Sequence, residues 1–258
     1  MRTPLMTLLC GVLASLLFAG TASAAATPSP GFKPVLTKNP LYKTGKFDLE
    51  ECHEQPVQSD DLDGARIYLE FVMECLDKSW TDQLAKVNIK YAKPKFQVIS
   101  KPGAPTGCGT FPLGAQALYC PNNKKITFLL DAGILSEPTE LFLMEVIAHE
   151  YGHHIQQLTG MLPEVDKYKG KSKARIFEEA RRVELQAECL SGAFIGSIWH
   201  SLGRRDFDWK YIVKVAQAGF DDGIHGKPSN IAKWLQRGFD AESPNACNTW
   251  SAKKSTVS

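Results

Sequence analysis

The chain reads as an α+β domain in which a small sheet precedes a mainly helical body. Short β-rich runs stand at 95–100 and 124–130. Longer segments with helical apolar spacing follow at 137–158 and 175–200, with shorter ones at 207–219 and 228–238. The 258 residues, 43% of them apolar, suit one core and one domain.

Taken in order, Arg2 supplies a positive start, residues 5–19 an apolar run, and Ala22-Ser23-Ala24 the small residues of a cleavage site. Residues 1–24 are therefore expected to be an export signal. The run is too short for a membrane span, and no later run could cross a bilayer. Residues 25–40, rich in Pro, Thr, Ser and Ala, read as an extended, disordered lead-in, leaving 41–258 as the single domain. Apolar spacing at Ile67, Phe71, Cys75 and Leu76 predicts a helix over 62–85. Residues 103–121 hold glycines, prolines and two cysteines and read as a stapled loop. A loop to 173 separates the two long helices, and an irregular end is tied by Cys247. Cys10 leaves with the signal, and Cys52, Cys75, Cys108, Cys120, Cys189 and Cys247 remain. An even number in an exported chain argues for disulfides. Proximity suggests Cys52–Cys75, Cys108–Cys120 and Cys189–Cys247.

The chemistry is concentrated in His149-Glu150-Tyr151-Gly152-His153, an H-E-x-x-H pattern. Histidines four apart on a helix lie about 40° apart around its axis, so both rings can grip one ion. His154 lies about 140° from His149 and is read as structural. Catalytic zinc takes three protein ligands and keeps a fourth position for water. The helix over 175–200 offers Glu184 and Glu188, four apart on one face. Glu184 is assigned to the metal and Glu188 to a hydrogen bond on a ligand histidine; exchange of the two roles is the alternative. Zinc would acidify a water and polarise the scissile carbonyl, and Glu150 would act as general base.

The motif H-E-Y-G-H-H followed by E-L-Q-A-E-C resembles the bacterial neutral zinc metallopeptidases, gluzincin-like and here of the exported, actinobacterial type. Their second motif usually reads E-L-Q-A-D-C, so Glu188 is a departure. Asn39-Pro-Leu-Tyr-Lys-Thr-Gly45, the 75–80 helix segment, Thr106-Gly-Cys-Gly109, Tyr119-Cys-Pro121 and Trp234-Leu-Gln-Arg-Gly-Phe239 extend the likeness over most of the mature chain. The resemblance implies a zincin-like fold, one Zn2+ per chain and a peptide or protein substrate. In related gluzincins a downstream histidine or tyrosine supports the oxyanion. Here His225, between glycines, is the candidate, a surface-loop histidine being the other reading, and Tyr211 is the second choice. Peptide substrates of such enzymes pair with an edge strand, for which 124–130 is the candidate; a central strand is the alternative.

The formal charge of +2 gives no case for nucleic acid. The basic stretch Lys167 to Arg175 reads as a solvated connection or an attraction for anionic polymers. Core packing explains most of Trp80, Trp199, Trp209, Trp234 and Trp250. The function expected is an exported zinc endopeptidase. The alternative is a non-catalytic zinc-binding envelope protein, which the intact Glu150 disfavours. A metal-free interaction module would make both motifs coincidence.

Overall fold

A computed structural model of the protein describes residues 31–136, 139–167, 169–218 and 221–258. The expected export signal lies outside the described residues. Residues 32–258 form one compact unit, and it is α+β, mostly helical with a three-stranded sheet.

The described part of the expected lead-in is not extended throughout. Helix α1 (Pro34–Thr37) starts on a proline, whose fixed φ suits a first helical turn. A 3-10 turn follows at Pro40–Lys43, capped by the Asn39 side chain accepting from the Leu41 N–H at 3.1 Å. Leu36 and Leu41 are buried, so burial of these two side chains overrides the polar composition around them. Helix α2 (Leu62–Ala85) is capped by Asp61, which accepts from Gly64 N–H at 2.8 Å. Its buried stripe is Ala65, Leu69, Val72, Leu76 and Trp80. Of the positions expected to face inward, Leu76 does, while Ile67 is 62% exposed.

Strands β1 (Lys95–Ile99), β2 (Ala117–Cys120) and β3 (Lys125–Leu129) lie in the order β1-β3-β2. β1 runs parallel to β3, from Lys95↔Lys125 to Ile99↔Leu129, and β2 antiparallel to it, from Ala117↔Phe128 to Cys120↔Lys125. The run expected as an edge strand is thus central. Ile126, Thr127, Phe128 and Leu129 are all buried, because β3 is covered on both edges and both faces. The edges are β1 and β2, and β2 comes from the segment expected to be loop. The disulfide Cys108–Cys120 staples that segment.

After α3 (Ala132–Ser136) come α4 (Glu140–Leu158), α5 (Met161–Val165) and α6 (Lys173–Ile198). Ser172 caps α6, its hydroxyl accepting from Arg175 N–H at 3.2 Å. Helices α7 (Asp206–Gln217) and α8 (Pro228–Ala241) complete the body. α6 and α8 cross at glycines. A Cβ on Gly192 would stand 2.1 Å from Leu235 O, and one on Gly238 1.9 Å from Cys189 O, so no larger residue fits. The disulfide Cys189–Cys247 joins α6 to the C-terminal segment, and Cys52–Cys75 ties the segment before α2 to that helix. Trp80, Trp209, Trp234 and Trp250 are buried. The basic connection is partly tied down: Lys171 and Arg175 both bind the buried Glu179, and Lys167 binds Glu164.

Candidate metal centre

Helix α4 carries His149, Glu150 and His153, and α6 carries Glu184 and Glu188. The two helices meet at Gly152, between the histidines, and Ala187, between the glutamates. A Cβ on Gly152 would lie 3.0 Å from both Cα and O of Ala187. This close approach sets the two motifs face to face.

Glu184 Oε2 lies 3.3 Å from His149 Nε2 and 3.2 Å from His153 Nε2. Ligand atoms of His149, His153 and Glu184 all fall within 4.8 Å of one another. Atoms placed tetrahedrally about 2.1 Å from one zinc ion would be about 3.4 Å apart, so this donor set fits the ion by spacing and by chemistry. Glu188 sits behind His149, with Oε2 2.9 Å from Nδ1. His153 Nδ1 lies 2.9 Å from Gln156 Oε1. Burial pushes the His149 imidazole down, but hydrogen bonds to Glu184 and Glu188 outweigh it and leave its pKa well above the usual value. Burial pushes the Glu184 carboxyl up, and the two imidazoles reverse this and hold it well below the carboxylate range.

Glu150 lines the same cleft, of about 350 Å³, as His149, His153, Glu184 and His225. Ala117, Leu118 and Tyr119 of β2 form part of its wall. Tyr119 N–H donates to Glu150 Oε2 at 2.6 Å. Leu129 N–H donates to Gln116 O across the sheet. By antiparallel alternation the main-chain groups of Ala117 and Tyr119 then point away from β3, toward the open edge.

His225 Nε2 lies 3.7 Å from Glu184 Oε2, at the edge of the donor set rather than within it. Its Nδ1 meets Asp222 Oδ2 at 2.5 Å, and Asp222 Oδ1 accepts from the main-chain N–H of Ile224 and His225. Partial burial raises the Asp222 carboxyl, but these bonds bring it below its usual range. Arg181 Nη1 holds the loop through Gly223 O at 2.8 Å. Tyr211, the second choice, is 56% exposed on α7 and is not among the lining residues of the cleft.

His154 is fully buried on the other side of α4. Its Nε2 donates to Ala92 O at 2.6 Å, so Nδ1 accepts from the Tyr119 hydroxyl at 3.0 Å. Tyr151 donates to Asp77 on α2 at 2.6 Å. These bonds fasten the back of α4 to α2 and to the sheet.

Sequence reasoning missed Glu145, Tyr119, Gln156 and Asp222. Glu145 stands one turn before His149, in reach of it and of Glu188. Burial first, then the Glu188 carboxylate, push its carboxyl up to about 8 against the pull of His149. The spacings E-x-x-x-H, H-x-x-Q and D-x-x-H carried a local signal for three of them; Tyr119 was marked only by its place in the family-like Tyr119-Cys-Pro121.

A helix bearing H-E-x-x-H, faced by a second helix bearing glutamates, is the arrangement of the zinc metallopeptidase class. The chain belongs to the family described as "Putative neutral zinc metallopeptidase", which matches residues 41–250. Its relatives include the uncharacterized protein YpfJ of Escherichia coli (strain K12), 27% identical over 214 residues and 74% of each chain. Another is the uncharacterized protein Rv2575 of Mycobacterium tuberculosis (strain ATCC 25618 / H37Rv), 30% identical over 256 residues, 84% of this chain and 82% of the relative. No solved structure matches the chain. The family name implies zinc and peptide substrates.

Proposed function

We propose that the chain is an exported zinc-dependent endopeptidase with a zincin-like fold, holding one zinc ion on His149, His153 and Glu184. The observation that carries the proposal is the convergence of these three ligand atoms within 4.8 Å, in a cleft that Glu150 also lines. When bound, zinc supplies a Lewis acid that polarises a carbonyl and lowers the pKa of water.

Glu150 acts as general base. Its Oε2 is held by Tyr119 N–H, which leaves Oε1 to take the proton from the attacking water and pass it to the leaving amine. Glu188 orients His149. With its Nδ1 held by Asp222, the His225 ring is the candidate support for the developing oxyanion. An extended peptide pairs with β2 through the outward main-chain groups of Ala117, and its scissile bond then lies over Glu150.

Export is proposed from residues 1–24, and the three disulfides accord with an oxidising compartment outside the cytoplasm. No described helix is long and apolar enough to cross a membrane.

The test is zinc content and cleavage of unfolded casein by the purified chain and by Glu150→Gln. The variant is expected to keep its zinc and to lose about 100- to 10,000-fold in kcat. Equal activity in both proteins would refute the mechanism. Zinc binding with inactivity in both would favour the non-catalytic envelope protein.

A further inference from the structure

A glutamine lies close after the histidines of the first motif and another lies within the second, and the mechanism above leaves both unused. Gln156 follows His153 by three residues and Gln186 follows Glu184 by two. Both are fully buried. A buried carboxamide must place two N–H donors and an acceptor oxygen. Here the neighbours allow each amide one orientation.

Gln156 Nε2 faces two acceptors, the Val183 carbonyl at 2.8 Å and Gln186 Oε1 at 3.0 Å. Gln186 Nε2 in turn faces the Cys247 carbonyl at 2.9 Å and the Tyr42 hydroxyl oxygen at 2.7 Å. That hydroxyl gives its own proton to Leu36 O at 2.9 Å. The Trp250 indole points at Gln186 Oε1 from 3.4 Å. Carbonyls only accept and an indole N–H only donates, so the direction of the chain of bonds is set at its main-chain ends. Turning Gln156 over would set its oxygen against the Val183 carbonyl.

Gln156 Oε1 is therefore the acceptor that faces His153 Nδ1, and Nδ1 carries the proton. The Nε2 lone pair is left for the side of the ring that meets Glu184. We infer that Gln156 is a positioning residue that fixes the His153 tautomer and ring angle for metal binding. Gln186, Tyr42 and the Cys247 carbonyl are its anchors. The inference rests on the proposed metal site.

It also gives the two histidines different supports. His149 is backed by a carboxylate and His153 by a neutral amide. Glu145, Glu150, Glu184 and Glu188 already crowd this region with acids. An amide orients the second ring without adding another charge. Through Leu36 and Tyr42 the segment before α2 is coupled to a metal ligand, and through Cys247 so is the Cys189–Cys247 disulfide.

The experiment measures zinc affinity by chelator competition in the full chain and in Gln156→Leu, Gln156→Glu and Tyr42→Phe. Gln156→Leu is expected to bind zinc about 10- to 100-fold more weakly. Gln156→Glu keeps an oxygen facing Nδ1 but sets its other oxygen against the Val183 carbonyl and Gln186 Oε1, so it too should bind zinc more weakly than the full chain. Tyr42→Phe removes only one oxygen at the far end. It should still fold, with a lowered melting temperature, and show a smaller loss in the same direction, so it carries the test if Gln156→Leu does not fold.

Long-range 15N–1H spectra of the His153 ring supply a second readout. Nδ1–H is expected in the zinc-loaded chain, and also in the metal-free chain at alkaline pH. A folded Gln156→Leu with unchanged affinity, or a His153 ring protonated on Nε2, would overturn the inference. A wild-type chain that takes no zinc would overturn the metal site itself, and the metal-free tautomer would still decide the relay.

Discussion

Gly152→Ala tests whether the approach of α4 to α6 builds the proposed metal centre. The added Cβ would meet Ala187 Cα and O at 3.0 Å and Ala187 Cβ at 3.2 Å. Carbon contacts relax at about 3.5–4.0 Å, so the helices must part by roughly 0.5 Å or distort. Tolerance in metal–ligand distance is about 0.2 Å, smaller than that shift. His149 and His153 sit on one side of the contact and Glu184 on the other, so separating the helices pulls the ligand set apart. In the metal-free chain the helices can relax. There the gain of about 1 kcal/mol from replacing a helical glycine offsets much of the strain.

With metal bound the helices must close again, against an overpacking cost of about 1–3 kcal/mol. That cost should appear as zinc affinity lowered about 5- to 150-fold. Chelator competition gives the affinity, and thermal unfolding of the EDTA-treated chain gives the stability. An affinity equal to wild type, in a variant that folds normally, would refute the reasoning. A loss of metal-free stability as large as the loss in binding energy would do the same.

Three further outcomes are expected. Glu184→Ala should lose metal more severely than Glu188→Ala, which keeps all three proposed ligands and should weaken binding about 10- to 100-fold; the reverse order in chelator competition would exchange their roles. Asp222→Ala should lower kcat on a peptide substrate by about tenfold or more, with metal content and KM little changed, because His225 loses the group that orients it. In the metal-free chain, Glu145 is expected to make stability fall with rising pH. Burial and the Glu188 carboxylate push its carboxyl up to about 8 in the fold, from an ordinary value of about 4.5. The folded chain therefore holds the extra proton between those values. The stabilisation is complete below about 4.5 and disappears as pH rises through about 8. Urea midpoints measured across this window should decline less steeply in Glu145→Gln, and identical slopes would contradict the assignment.

Much of the architecture was legible because it is local. The helices around 140–158 and 173–198 follow from spacing that a single helix imposes on its own residues. The cysteine pairs were legible by proximity in the chain. The sheet was read less well. Residues 117–120 are bounded by glycines, prolines and cysteines and look like loop. They become a strand only because β3 offers an antiparallel partner. The run at 124–130 looks like a good edge strand, and its central place depends on β1, some thirty residues earlier in the chain. Leu36 sits in a stretch that looks unstructured, and only the pocket that receives it makes it ordered.

By itself the sequence determined the sets of side chains that share a face: His149 with His153, and Glu184 with Glu188. Positions three or four apart on a helix are adjacent whatever the rest of the molecule does. Tertiary structure alone decided which oxygen meets which nitrogen. Gly152 against Ala187 brings the faces together, Tyr119 reaches Glu150 from another layer, and buried carbonyls far along the chain orient the amide behind His153. Those relations depend on where separate elements pack, and no local spacing encodes the distance between two helices.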